Sequence, residues 1–90
     1  MINYVTVSKP EDDLIQAMKK VGFGELLFIE IGDAPKTQKR EVDKKTLRLL
    51  EFIREGNTCL DSVKIHQGEP TQVVITGEHE KLKYKKKIQL

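Results

Sequence analysis

The stretch Ser8–Gly32, SKPEDDLIQAMKKVGFGELLFIEIG, changes its apolar period partway along, and that change sets the fold class. Up to Val21 the residues Leu14, Ala17, Met18 and Val21 recur at i, i+3, i+4 and i+7, the buried stripe of a helix. Ser8 caps its start, and Glu11, three residues later, answers it in a capping box. Pro10, Asp12 and Asp13 suit a first turn, where free N–H groups and the positive dipole end favour them. Lys19 and Lys20 fall in the last turn, and Gly22 supplies the left-handed residue that stops the helix. From Glu25 onward the reading is a strand, with Leu27, Ile29 and Ile31 on one side and Leu26 and Phe28 on the other. Apolar residues on both sides predict a central place in a sheet.

The flanks fit the same grammar. Ile2 to Val7 is rich in β-branched residues and reads as a short strand. After the turn GDAP, the polar KTQKREV is either an exposed edge strand or a loop. A second helix is expected from Asp43 as cap to Glu55, with Leu49, Leu50, Phe52 and Ile53 as its apolar surface and Gly56 as its stop. CLDSVKIH and TQVVIT read as strands around the turn QGEP, and GEHE turns the chain into the closing KLKYKKKIQL, Lys81–Leu90. The expectation is a single α+β domain over residues 1–90, a mainly antiparallel sheet with two helices packed on one face.

The halves echo each other. Ser8 and Asp43, Leu14 and Leu49, and Pro35 and Pro70 are each 35 residues apart. At that offset only three of 35 aligned positions are identical. A duplicated helix–strand–hairpin unit and a shared helix-to-hairpin grammar both account for the pattern, and so few identities favour the second.

Charge is distributed unevenly under a net value of +2. Six acids lie between Glu11 and Asp33, against Lys19 and Lys20. Lys36, Lys39, Arg40, Lys44 and Lys45 form one basic cluster, and the last ten residues hold five lysines and no acid. In that tail Lys81, Lys83, Lys85 and Lys87 alternate with Leu82, Tyr84, Ile88 and Leu90, and Lys86 interrupts the apolar set. Period two means a strand whose apolar side packs inward, burying Tyr84, and whose lysines form a wet face. Lysine on an edge strand guards against pairing between chains. The same row, about 7 Å from one lysine to the next, matches phosphates along an extended nucleic-acid strand and offers a polyanion-binding surface. The Lys36–Lys45 cluster would enlarge that surface if the fold brings the two together.

Other chemistry is thin. His66 and His79, with Glu78, Glu80 or Cys59, lack the spacing of a metal motif, so no metal or cofactor is expected. Cys59 is a lone cysteine at the start of an apolar strand and reads as a small core residue. The absence of any intramolecular disulfide fits a reducing, cytoplasmic setting. The N-terminus lacks the pattern of a signal peptide, and the longest apolar run, Leu26 to Ile29, is too short to span a bilayer. No glycine-rich phosphate loop or paired catalytic group is present, so no enzyme activity is expected.

In the second half, Val63, Ile65, Gly68, Gln72, Val73, Ile75, Lys87, Ile88 and Leu90 give a pattern that resembles the small YezD-like bacterial proteins. Those pair a short helix with a strand, a glycine-containing turn, a second strand and a K-I-R-L type ending. The resemblance implies a bacterial or phage cytosolic protein with no established activity. Together these readings lead to a non-enzymatic binding protein. A protein-interaction module or small homo-oligomer is the first expectation, and a nucleic-acid-binding accessory protein using the lysine-rich strand is the second.

Overall fold

The computed structural model describes residues 3–79 and 82–90. In chain order the elements are β1 (Asn3–Ser8), α1 (Lys9–Val21), β2 (Gly24–Glu30), β3 (Lys36–Val42), α2 (Lys44–Arg54), β4 (Cys59–His66), β5 (Glu69–His79) and β6 (Leu82–Gln89). This is the expected α+β class, and its strands are antiparallel throughout the described residues. They divide between two sheets, one of β1 and β3 and one in the order β2-β4-β5-β6. The polar segment KTQKREV, whose sequence suits strand and loop alike, is a strand, β3, and β1 is what it pairs with.

Both helices begin as their sequences dictate. The Ser8 hydroxyl accepts from the Glu11 N–H at 3.3 Å, and Glu11 Oε1 accepts from the Ser8 N–H at 2.8 Å, which completes the capping box. Asp43 Oδ2 accepts from the N–H groups of Lys45 and Thr46, at 3.0 and 3.1 Å. Gly22 closes α1 with φ 72, and its N–H donates to the Met18 carbonyl. α1 buries Leu14, Ile15 and Met18, and α2 buries Leu49, Leu50 and Ile53. α1 contacts strands of both sheets, while α2 packs on β5 and β1. One core cluster results, joining these side chains to Val7, Val42, Leu60, Val63 and Val73.

The order strand–helix–strand occurs twice, as β1-α1-β2 and β3-α2-β4. The two copies pair strand for strand, β1 with β3 and β2 with β4. Core positions correspond: Val7 with Val42, Leu14 with Leu49, Ile15 with Leu50 and Met18 with Ile53, each 35 residues apart. The recurring order is thus strand–helix–strand, and β2 and β3 lie in different sheets, so the helix–strand–hairpin form of the duplication does not hold.

β2 does not lie centrally; it is an edge of the four-stranded sheet. Its apolar residues alternate imperfectly because burial changes phase inside the strand. Leu26 packs on the core, Leu27 and Phe28 are 59% and 85% exposed, and Ile29 and then Ile31 return to the core. The step falls at Phe28, which takes φ 53, a left-handed conformation that bulky residues rarely adopt. β4 makes the same three-residue step, from buried Leu60 to buried Val63. Cys59, next to Leu60, consequently faces out and is exposed rather than in the core.

Candidate interaction surfaces at the sheet edges

Among the described residues the four-stranded sheet has two open edges, and they differ in chemistry. At the β2 edge, Leu27 and Phe28 stand in solvent, with Phe23 also exposed just before the strand. Phe23 meets His66 edge-on, with ring centroids 5.1 Å apart. Between α1 and β2 opens a cleft of about 430 Å³, lined by Leu14, Ala17, Leu26, Leu27 and Ile29 together with Asp13 and Glu30. Sequence alone marks none of these residues as a surface, because the run of apolar residues in β2 signals burial instead.

The β6 edge carries the lysines. Registry with β5 fixes their faces. Val73 faces Ile88, Ile75 faces Lys86 and Gly77 faces Tyr84, on the side that packs on the helices. Val74 faces Lys87 and Thr76 faces Lys85, on the opposite side, which Lys83 shares by alternation. Lys83, Lys85 and Lys87 therefore share one face, as their spacing requires. Lys81 lies outside the described residues. Lys85 Nζ is 3.3 Å from Asp61 Oδ2, and Asp61 also accepts from the Thr76 hydroxyl. That hydroxyl chiefly, with Lys85 beside it, outweighs the opposing effect of burial and holds the Asp61 carboxyl below its ordinary pKa.

Tyr84 is not buried. It is 49% exposed, and Leu82 is 71% exposed. The core ends before this part of the hairpin, where only Gly77 lies opposite the tyrosine. A Cβ on Gly77 would overlap the Tyr84 ring, so the absent side chain is what lets the ring lie across β5.

The second basic cluster sits on other elements. Lys36, Lys39 and Arg40 belong to β3 in the two-stranded sheet, and Lys44 and Lys45 open α2. Two of its cations are already engaged. Lys39 Nζ lies 5.4 Å from the centre of the Tyr4 ring. Arg40 Nε donates to Asp12 Oδ1 at 2.7 Å, and its Nη2 donates to Asp12 Oδ2 and Gln38 Oε1. The bonds from Arg40 hold buried Asp12 below its ordinary pKa.

A smaller cleft, of about 210 Å³, opens over Glu11 and Arg54 beside Ile31, Gly32 and Asp33. Its polar floor is an ion pair already satisfied from both sides, which leaves little to recognise a ligand. His66 is exposed, and no group of three metal-binding side chains occurs among the described residues. No described helix is long and apolar enough to cross a membrane. Comparison of the chain with known protein families, with curated proteins and with solved structures finds no match.

Proposed function

We propose that this chain is a small non-enzymatic binding protein, a protein-interaction module or homo-oligomer that associates through a sheet edge. The observation that carries this reading is the pair Leu27 and Phe28, exposed at 59% and 85% on an edge strand that no described strand covers on its outer side. An open edge offers a row of backbone N–H and C=O groups for strand addition, and apolar neighbours add burial to those bonds. The pairing within the chain points the same way. The side of β4 that β5 covers corresponds, between the two strand–helix–strand units, to the uncovered side of β2. Sedimentation velocity at micromolar concentrations tests the reading. The wild type should associate, and a Leu27→Ser/Phe28→Ser variant with an unchanged circular dichroism spectrum should not. A monomeric wild type that takes up no strand-forming partner would refute it.

A second reading, nucleic-acid binding through β6, is supported by the half-exposed Tyr84 beside the lysine row, because an accessible ring can stack on a base. It requires oligonucleotide binding that falls steeply with salt and is lost when Lys81, Lys83, Lys85 and Lys87 become glutamine. Fluorescence anisotropy at low and physiological salt decides it, and no binding at low salt rules it out.

A further inference from the structure

The two open edges of the sheet carry opposite charge. β2 contributes Glu25 and Glu30, whereas Asp13 of α1, which lines the adjoining cleft, is already paired with Lys9. β6 contributes Lys83, Lys85, Lys86 and Lys87. Two β2 edges brought together would crowd acids against acids, and two β6 edges would crowd lysine against lysine. Like charges placed directly opposite across strands are destabilising, so each edge rejects its own kind and attracts the other.

The geometry supports the unlike pairing as well. Each neighbour in the order β2-β4-β5-β6 is antiparallel to the next, so β6 runs opposite to β2. A second copy laid alongside in the same orientation presents its β6 antiparallel to β2, with the helices of both copies on one side of a continuous sheet. The strands are comparable in length, 7 residues in β2 and 8 in β6. Leu82 lies on the helix side of β6 and is 71% exposed, so it would arrive over the cleft between α1 and β2, while the Tyr84 ring stays over Gly77 of its own β5. One edge thus has an exposed apolar side chain in Leu82, and the other has an apolar cleft beside it. Lys83 and Lys87 fall on the opposite side of the sheet, where Glu25, next to core-facing Leu26, also points.

We propose that the β2 edge and its cleft receive the β6 edge of a second copy of this chain, head to tail. The proposal rests on the reading of β2 as the interaction surface. The contact is heterologous, so it propagates into a ring or an open row of copies rather than stopping at a two-fold dimer. The lysine row then acts as an attachment strand for β2 while still preventing β6 from pairing with itself.

The test uses charge reversal with complementation, read by sedimentation velocity over a concentration series. Glu25→Lys/Glu30→Lys reverses the β2 acids, and Lys83→Glu/Lys87→Glu reverses two lysines on the β6 face that Glu25 shares while sparing the Lys85–Asp61 pair. All four residues are on the surface, and urea midpoints near wild type establish that each variant folds. The wild type should form species larger than a dimer, with affinity falling about tenfold between low and high salt. Either variant alone should associate roughly tenfold or more weakly, and mixing the two should restore association, because the exchanged charges on that face are again complementary. A discrete dimer that is indifferent to salt and to the lysine changes, yet lost in Leu27→Ser/Phe28→Ser, would overturn the head-to-tail contact and leave β2 as the interaction surface. The head-to-tail contact is likewise overturned if β2 instead takes up a basic strand from another protein while the wild type stays monomeric. A wild type that neither associates nor takes up a strand overturns both.

Discussion

Arg54, at the end of α2, donates from Nε to Glu11 Oε2 at 2.9 Å and from Nη2 to Glu11 Oε1 at 3.1 Å, joining two helices across 43 residues of sequence. The same Nη2 donates to the Thr6 carbonyl at 2.7 Å, and Glu11 Oε1 also accepts from the Ser8 N–H. Glu11 therefore caps its own helix and anchors the other one. Removing Arg54 would strand a buried carboxylate. Arg54→Met should cost about 2 kcal/mol, less than a fully buried pair because part of the guanidinium remains in water. For a chain of this size that lowers Tm by roughly 10 °C. A thermal melt that does not move would show that the pair contributes nothing net.

The same carboxylates set the acid limb of stability. Burial pushes Glu11 upward, but Arg54 and the Ser8 N–H outweigh it and hold the group below its ordinary pKa. Asp12 is held down chiefly by Arg40, again against burial. With folded values below unfolded ones, the unfolded chain takes up protons first as pH falls. The stabilisation is complete above the ordinary carboxylate range, and begins to fade below about pH 4.5. It is gone once pH has passed through the folded values. Urea midpoints measured down a pH series should fall through this window, and the fall should be shallower in Arg54→Met. A steeper fall in the variant would contradict the assignment.

Much of this architecture is legible in sequence because it depends on local rules. The capping box at Ser8 and Glu11, the Asp43 cap and the Gly22 stop are short-range chemistry, and the structure has them where the residues place them. The facing of the β6 lysines follows from period two alone. What escapes is long-range. Nothing near Arg40 or Arg54 announces a partner 28 or 43 residues away, so Arg40 reads as a free cation of a basic cluster. Apolar residues on both sides of β2 resemble a central strand, because a phase step at one positive-φ residue leaves no mark in composition. Cys59 and Tyr84 mislead for a related reason: alternation says which face a residue takes, not whether the core reaches that far along it.

Gly77 and Tyr84 form a cross-strand pair that a double-mutant cycle can isolate. Gly77→Ala places a methyl group inside the space of the tyrosine ring and should cost about 1–2 kcal/mol as the ring is displaced. In a Tyr84→Ala background the same change should be neutral or mildly stabilising, since alanine restricts the unfolded chain more than glycine does. Additive effects in urea denaturation would mean that the ring does not lie over Gly77 in solution.

Phe28 sets stability against association. At φ 53 a non-glycine residue costs about 1 kcal/mol or more, and with 85% of its surface exposed the ring regains little of that within one copy. Glycine removes the strain but adds freedom to the unfolded chain, so Phe28→Gly should leave stability unchanged or raise it by up to about 1 kcal/mol. Leu26→Gly, two residues earlier and packed on the core, should instead cost about 2 kcal/mol. If strained, exposed Phe28 is retained for what it contacts in another chain, Phe28→Gly should also weaken self-association. A variant as stable as wild type that associates less well separates the two roles of the residue. A loss of stability beyond about 1 kcal/mol would mean that the ring packs within a single copy, contrary to its exposure.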